Sequence, residues 1–451
     1  MISCLERGQS RRLLWFQFIA LGVLLAFGSL PASAQMAANL SGTVTDQTGA
    51  IVSGVDISVR NAETGVVRNT TTDAAGLYQV FALPIGEYEI HAKKDGFTEE
   101  VRTGIHLVVG QDARADLVLQ LGRVTERINV NADAALVSTT TADISGLVGE
   151  EQVKDLPLNG RSYDLLMLLN PGVVNFTWEK TGGTGVSNSS TAGNFAVSGN
   201  RPEQNLFLLN GVEFTGAAEN NMTPGGPSGQ LLGVEAVREF NVVRDSYGAE
   251  YGKHPGAQVA IVTQSGGNEW HGSAYEYLRN NVLDARNFFD ADPNNASLGS
   301  APLFQRNQFG GSLGGPVAKD RTFVFLNYEG FRQNLHQTML TFVPANEDRN
   351  CAAPAGCAVY APGWGGNCPA AQQAACANIV QQLLNLWPAS NGPELLVGGA
   401  PSGIAQLTGT PKSSPLQKIR EDFGTTRVDH IFSAKDTLSA IYTIDDGTNV
   451  D

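Results

Sequence analysis

Charged side chains are scarce in this sequence, and those present are mostly acidic. Asp, Glu, Lys and Arg make up 16% of the 451 residues, with 44 acidic against 30 basic side chains and a net charge of −14. Binding to nucleic acid depends on Lys and Arg contacts with phosphates, and the chain has no basic cluster to supply them. The composition therefore argues against nucleic acid as a partner.

The spacings that hold metals and cofactors are also missing. The chain contains no CxxC pair, Walker A motif, GxGxxG or HExxH, and none of its six histidines is followed three residues later by Glu. We therefore expect no cofactor, no metal site and no enzymatic activity. One catalytic pattern occurs, Gly310-Gly-Ser312-Leu-Gly314. A nucleophile elbow needs a strand–turn–helix context, and this stretch instead runs into Gly315-Pro316.

No apolar run is long enough to span a bilayer as a helix. The longest extends from Leu13 to Phe27, about 15 residues against the ~20 that a spanning helix needs. It follows three arginines and precedes an A-x-A site that ends at Ala34, so residues 1–34 are predicted to be a signal peptide cleaved after Ala34. An uncleaved anchor is the alternative. A mature form that resides in a membrane must then span it as a β-barrel.

Cysteines are few and clustered. Cys4 lies in the signal, and the other four follow a C-x5-C-x10-C-x7-C pattern without zinc-knuckle spacing. We interpret these four as disulfide candidates in one exposed loop, and all three pairings remain open. They are Cys351, Cys357, Cys368 and Cys376.

The chain contains 51 glycines, and many of its segments alternate apolar and polar residues with a period of two. Both features favour a mainly β fold. Residues 38–121 contain about seven short alternating segments separated by turns, the pattern of a β-sandwich. In Val55, Ile57 and Val59, for example, the apolar side chains share one face.

Four phrases in this region resemble the carboxypeptidase regulatory-like domain: Gly42-Thr-Val-Thr-Asp46, Thr72-Asp-Ala-Ala-Gly-Leu-Tyr78, Leu83-Pro-Ile-Gly-Glu-Tyr88 and Lys94-Asp-Gly-Phe97. The resemblance implies a transthyretin-like, carbohydrate-binding-like sandwich without catalytic activity. A role as rigid spacer and a role in carbohydrate binding both remain open.

Residues 122–143 are predicted to be a linker. Within it, one short segment is prone to β-structure and has no evident partner strand, which makes it a candidate for strand addition to another protein. A last strand of the sandwich is the alternative. The segment consists of Val124, Thr125, Glu126, Arg127, Ile128, Asn129 and Val130.

Residues 144–255 resemble the plug domain of TonB-dependent outer-membrane transporters. The resemblance rests on five stretches: Val153-Lys-Asp-Leu-Pro-Leu-Asn-Gly-Arg-Ser-Tyr163, Phe195-Ala-Val-Ser-Gly-Asn-Arg201, Asn205-Leu-Phe-Leu-Leu-Asn-Gly-Val212, Val234-Glu-Ala-Val-Arg-Glu-Phe240 and Tyr247-Gly-Ala-Glu-Tyr-Gly252. It implies that the segment Val124–Val130 is the TonB box.

The same resemblance implies that Arg161 and Arg201 contact the barrel and pair with its carboxylates. Solvation at the plug surface is the alternative for both arginines. The family usually has Asp before the Gly-Val turn, where this chain has Asn210 before Gly211. A role for charge at that turn is therefore in doubt.

Residues 256–451 are predicted to begin an antiparallel transmembrane barrel, with about seven strands and a long cysteine-containing loop at 344–420. Leu438, Ala440, Tyr442 and Ile444 alternate with polar residues, as lipid-facing strands require. The stretch resembles Oar-like TonB-dependent transporters. Such a barrel would be incomplete here, since the family's barrels have about 22 strands.

The sequence thus predicts the front part of a TonB-dependent transporter in the outer membrane of a Gram-negative bacterium. Its expected partners are TonB with its inner-membrane energising complex, outer-membrane lipid, and an unknown ligand that could be a glycan, a peptide or a chelated metal. The alternative is a surface carbohydrate-binding or adhesion protein without transport.

Overall fold

A computed structural model describes most of the chain, which divides into two compact units, Met1–Ala62 with Val66–Thr141, and Glu63–Gly65 with Ala142–Asp451. The structure describes residues 37–122, 127–131, 144–175, 194–214, 225–229, 232–245, 248, 251–285, 303–336, 340–346, 373–387, 389–390, 394–397, 400–408, 416–433 and 436–450. The predicted signal peptide, with its cleavage site after Ala34, lies outside the described residues. None of the helices in these ranges is long and apolar enough to cross a membrane.

The first unit is a β-sandwich. One sheet has the order β4-β1-β7, with β8 also paired to β1, and the other has the order β3-β2-β5-β6-β9. The strands are β1 Ala38–Asp46, β2 Asp56–Asn61, β3 Val67–Thr71, β4 Leu77–Leu83, β5 Gly86–Lys93, β6 Glu99–Leu107, β7 Asp112–Arg114, β8 Leu117–Leu119 and β9 Arg127–Asn131.

Strict alternation explains why these segments form two facing sheets. In β1 and β5, every second side chain is buried between the sheets. Leu40 and Val44 come from one sheet, and Val59 and Ile90 from the other, and all four are almost fully buried. The hydroxyl of buried Tyr78 donates to the Ala115 carbonyl at 2.6 Å, so its polar end is satisfied inside the core. The predicted sandwich is confirmed.

The linker segment corrects one expectation. Its residues Arg127–Val130 lie in β9, which pairs in parallel with β6, Glu99 opposite Arg127 and Thr103 opposite Asn131. The segment therefore has a partner strand, as in the alternative of a last sandwich strand. Short β-prone stretches carry no sequence signal for which sheet edge they join. Val124, Thr125 and Glu126 lie outside the described residues.

The second unit begins with the segment that the sequence predicts to be a plug, and this segment is called the plug below. Its main sheet, here called the plug sheet, has the order β10-β15-β16-β13-β14, and β11 pairs with β12. The strands are β10 Ile144–Val148, β11 Val173–Asn175, β12 Phe195–Val197, β13 Leu206–Leu209, β14 Val212–Glu213, β15 Val237–Asp245 and β16 Gln258–Thr263. Helix α1 is Glu150–Asp155, and short 3₁₀ turns span Asn159–Arg161, Tyr163–Leu169, Pro202–Gln204 and Val234–Ala236.

The assignment of residues 256–263 to the barrel is wrong. Strand β16 lies inside the plug sheet, antiparallel to β15 and parallel to β13. Five of its six side chains are buried. A strand covered on both faces has a continuous apolar run rather than alternation, and Val259-Ala-Ile-Val262 is such a run.

The barrel segment forms an antiparallel sheet, here called the wall sheet, with the order β17-β18-β19-β23-β24. Its strands are β17 His271–Asn280, β18 Phe304–Ala318, β19 Thr322–His336, β23 Leu416–Ile431 and β24 Thr437–Val450. Leu326, Tyr328, Val428, Tyr442 and Ile444 are exposed on one face, while the opposite face buries Asn327, Glu329 and Gln333 in β19. Apolar side chains outside and polar ones inside are typical of a membrane-spanning wall. Among the described residues the sheet is open, with β17 and β24 as its edges.

The region predicted to be a loop at 344–420 contains regular structure, so that expectation is also wrong. Strands β20 Leu340–Pro344, β21 Glu394–Val397 and β22 Ala400–Thr408 form a small sheet. Strand β23 already begins at Leu416, and it buries Gln417, Ile419 and Glu421 on one face. Because that face mixes polar and apolar residues, it shows no period of two in hydrophobicity.

The same region also contains helix α2, Gln373–Leu384. Cys376 lies in α2, and Cys351, Cys357 and Cys368 lie outside the described residues.

Candidate functional site

The turn before the long 3₁₀ segment of the plug positions the first functional side chain. Gly160 has φ 78° and Arg161 has φ 54°, so two consecutive residues take the left-handed conformation. This conformation is free for glycine but costs an L-residue roughly 1–2 kcal/mol. In this conformation the Arg161 side chain points towards strand β17 of the wall sheet.

Arg161 is buried between the plug and the wall. Its Nη2 lies 2.9 Å from Oε1 of Glu235 in the plug, with side-chain exposures of 9% and 11%. Its guanidinium carbon lies 4.3 Å from the Tyr275 ring centre and 4.7 Å from that of Tyr277, both on β17. The sequence prediction paired Arg161 with a barrel carboxylate. In the structure the ion-pair partner belongs to the plug, and β17 supplies two aromatic faces.

Glu235 extends the contact to the first two wall strands. Its second carboxylate oxygen accepts a hydrogen bond from Ser273 Oγ at 2.8 Å. Ser273 Oγ lies 3.0 Å from Ser312 Oγ, its partner in register on β18. Ser312 thus lies in the middle of a strand, not at the strand–helix turn that a nucleophile elbow requires.

A wall carboxylate binds the plug backbone. Glu329 of β19 is fully buried and accepts the Gly233 N–H at 2.8 Å. Gln308 of β18 donates one hydrogen bond to the other Glu329 oxygen and a second, at 3.0 Å, to the Gly160 carbonyl. The wall therefore binds the plug backbone at two separate turns, through the Glu329 carboxylate at Gly233 and the Gln308 amide at Gly160.

A third wall side chain, Glu421 of β23, repeats this arrangement. It is fully buried, and its Oε2 accepts the Ser228 N–H at 2.7 Å. A Cβ at Gly226 would overlap its carboxylate, and a Cβ at Gly233 would overlap the Phe423 ring. Gly233 also has φ 92°. Glycine is thus required where the plug backbone approaches the wall most closely.

Apolar side chains fill the space between these polar contacts. Leu232 and Ala236 of the plug pack in one buried cluster with four wall residues. Those four are Phe325, Phe331, Ile419 and Phe423. Moving the plug would therefore expose these apolar side chains as well as break the polar contacts.

The turn at Asn210-Gly211 has a structural role that does not need charge. Asn210, with φ 49°, and Gly211, with φ 83°, form the two-residue loop between β13 and β14, as a type I′ hairpin requires. The Asn210 amide accepts the Thr263 N–H at 3.1 Å and donates to Thr263 Oγ1 at 3.1 Å. An Asp could accept but not donate. Arg427 of β23 donates to the Thr263 carbonyl at 3.0 Å, so this corner also meets the wall.

One buried acid in the plug is perturbed. Burial raises the pKa of Asp164 to about 6, and a hydrogen bond from the Ser162 hydroxyl opposes part of that effect. Arg201, by contrast, is exposed at the start of the 3₁₀ turn Pro202–Gln204. Of the two arginines singled out in the sequence, the structure brings Arg161 to the wall.

Sequence reasoning missed Glu235, Gln308, Glu329 and Glu421. A lone polar residue in an alternating strand is typical of any water-facing position in a barrel, so nothing marked Gln308, Glu329 and Glu421. Glu235 lies in a stretch that resembles the plug, but the resemblance implied no role for it. The only available signal was indirect. The stretch Gly225-Gly-Pro-Ser-Gly229 indicates close backbone approach, without showing to what.

Comparison with known proteins gives matches for both units of the chain. Residues 39–120 match the carboxypeptidase regulatory-like domain, and residues 262–451 match an outer membrane β-barrel domain. The TonB-dependent transporter Oar of Myxococcus xanthus is 26% identical over 344 residues, which cover 73% of this chain and 30% of Oar. The chain is similar to Oar over most of its own length. It spans about 30% of the length of that relative, and these matches assign it to the outer membrane of a Gram-negative bacterium.

Solved structures show weaker likeness. The outer membrane transporter YddB from Escherichia coli is 13% identical with a TM-score of 0.36, over 64% of this chain and 31% of that one. The siderophore receptor PirA from Acinetobacter baumannii is 17% identical with a TM-score of 0.28, over 68% and 44%. The Oar homology does not favour a surface binding protein without transport.

Proposed function

We propose that the chain is the plug and first wall segment of a TonB-dependent transporter that admits a substrate by energised displacement of the plug. The observation that carries this proposal is the way the wall holds the plug. Glu329 and Glu421 accept backbone N–H groups at Gly233 and Ser228. A hydrogen bond of this kind contributes only about 0.5–3 kcal/mol. A plug held by a few such bonds around one apolar cluster can be released under load and can return.

The order of residues suggests how force reaches these bonds. The candidate TonB box precedes β10, the edge strand of the plug sheet, and β10 pairs with β15. Strand β15 directly follows the 3₁₀ turn Val234–Ala236, which carries Glu235. Tension applied before β10 would therefore pass through the antiparallel β10–β15 pair to the turn Val234–Ala236, which contacts the wall through Glu235.

TonB, with its inner-membrane energising complex, is the proposed source of this tension, by strand addition to Val124–Val130. The proposed substrate is a glycan, a peptide or a chelated metal, bound at the outer loops and the plug apices. No covalent step is required, since only hydrogen bonds and apolar contacts change.

Labelling in cells tests the proposal. Leu232, which is 2% exposed between plug and wall, is replaced by Cys in a background in which the native cysteines are serine. The protein is expressed in its own host, with and without TonB, and treated with a thiol reagent that does not cross membranes. We expect labelling that requires TonB, because plug displacement exposes this position.

Phe207→Cys is the matched control, since Phe207 is 1% exposed inside the plug core rather than at the wall. It should stay unlabelled if the plug moves as a folded body. Equal labelling of Leu232→Cys in both hosts would contradict the proposal.

A further inference from the structure

The β9 strand gives the candidate TonB box a defined position in the fold. Four of the seven residues of that segment lie in β9, at the end of the sheet order β3-β2-β5-β6-β9. A strand at the end of a sheet has one edge paired and the other edge free to accept a new strand.

The pairing of β9 is unlike the rest of its sheet. The pairs β2–β3, β2–β5 and β5–β6 are antiparallel, whereas β6–β9 is parallel over Glu99–Thr103 and Arg127–Asn131. Just before this region the chain runs the opposite way along the same edge, with the Thr98 N–H bonded to the Gln120 carbonyl at 2.8 Å. The described residues on either side thus differ in direction, antiparallel at Leu121 and parallel to β6 from Arg127.

This arrangement has an energetic consequence for strand addition. An isolated peptide must lose backbone conformational freedom before it can pair with a partner. The backbone of β9 is already extended and fixed in register by β6. A partner strand that adds to its outer edge would meet a preorganised template and would not have to break the β6 pairing.

We propose that the sandwich presents Arg127–Val130 of the candidate TonB box as a preformed edge strand, and that TonB adds its own strand to the outer edge of β9 while β9 stays paired with β6. The inference rests on the proposed function. Three observations support TonB as the occupant: β9 ends its sheet among the described residues, it is the last sandwich strand before plug strand β10, and the similar transporter Oar is TonB-dependent.

A disulfide lock tests the inference in the full chain. Thr103 and Asn131 are partners in register. Paired strands lie about 4.8 Å apart, within the range of Cα separations that a disulfide bridges. Thr103→Cys with Asn131→Cys should therefore oxidise readily. Thr103→Cys with Asn129→Cys, two residues out of register, is the matched control and should oxidise far more slowly. The native cysteines are serine in both variants.

The probe is the purified periplasmic domain of the host's TonB, and the readout is its dissociation constant for the oxidised and reduced chains. If β9 stays paired with β6 when TonB binds, the Thr103–Asn131 disulfide should leave the affinity for TonB within about twofold or increase it. A tenfold or greater loss on oxidation, restored by reduction, would show that TonB must strip β9 from β6. That result overturns the inference and leaves the proposed function standing.

Two further results are decisive. Equal oxidation rates for the in-register and out-of-register pairs would show that β9 is not docked on β6, which also overturns the inference. A reduced, unlocked chain that fails to bind the TonB domain would instead refute the proposed TonB box, and the inference with it.

Discussion

The buried ion pair between Arg161 and Glu235 should be the most costly contact of the plug to break. The two side chains are 9% and 11% exposed and 2.9 Å apart. Replacing Arg161 by Met leaves a buried carboxylate whose remaining hydrogen bond comes from Ser273. Removing one partner of a buried pair costs about 3–5 kcal/mol, and two lost cation–π contacts contribute to that total.

The double variant Arg161→Met/Glu235→Gln distinguishes two contributions to this cost. One is the lost attraction between the side chains, and the other is the buried charge that the single variant leaves without a partner. Both charges are then gone, and the Gln amide can still accept from Ser273. We expect a cost of about 1–2 kcal/mol, well below the sum of the single costs, because neither charge is left uncompensated.

The assay follows urea unfolding of the chain in detergent micelles, with protection of Leu232→Cys from a thiol reagent as the reporter of plug docking. Arg60→Met is the matched control. It breaks an Arg60–Glu89 pair of the same length, 2.9 Å, in which Arg60 is 50% exposed, and exposed pairs contribute about 0–1 kcal/mol. A cost below about 1 kcal/mol for Arg161→Met, or single costs that simply add, would refute the reasoning.

Three further predictions concern single residues. The raised pKa of Asp164, about 6 against an ordinary 3.8, gives stability that is present below pH 3.8 and lost as the pH rises through 6. Asp164→Asn should therefore gain roughly 3 kcal/mol relative to the native chain between pH 4 and pH 7, and parallel urea midpoints across that range would contradict this. Gly233→Ala should destabilise the docked plug by about 2–4 kcal/mol, since the left-handed backbone and the Phe423 overlap both oppose it. Gly199→Ala, also at positive φ but in open space, should cost only about 1 kcal/mol in the same protection assay. If the two variants lost similar stability, the overlap with Phe423 would not contribute to the cost at Gly233. Tyr78→Phe should cost the sandwich about 1–3 kcal/mol in thermal unfolding because the Ala115 carbonyl loses its buried donor; an unchanged midpoint would show that this hydrogen bond is not needed.

The parts of the fold that alternation specifies were predictable. Strand β5 in the sandwich buries one face and shows a clear period of two. Wall strand β24 is largely exposed, but its apolar residues Leu438, Tyr442 and Ile444 still recur at even positions. The sandwich and the lipid-facing positions Leu438, Tyr442 and Ile444 followed from it.

Segments whose buried side chains do not alternate in hydrophobicity with their neighbours gave no such signal. Strand β16 is buried on both faces, and its continuous apolar run does not distinguish a plug strand from a barrel strand. Strand β23 buries one face, but the first residues on that face are a mixture of polar and apolar side chains. For β9, the register with β6 depends on a sheet edge distant in sequence.

The candidate site was predictable only at Arg161. Glu329 and Glu421 accept hydrogen bonds from plug backbone amides about 100–200 positions away in sequence. The choice of amide therefore depends on how the two sheets pack. Sequence spacing cannot report such contacts.

The account's central claim is that the plug is mechanically separable from the wall. Single-molecule force measurement on the chain in a bilayer, pulled from the residues just before β10, tests it most directly. A short thiol-reactive crosslinker between Glu235→Cys and Ser273→Cys ties plug to wall, whereas the same reagent between Ser273→Cys and Ser312→Cys ties two wall strands to each other. The account predicts a low-force release of the plug that the first crosslink abolishes and the second leaves unchanged. Extraction of wall strands together with the plug, or release that the first crosslink does not affect, would contradict it.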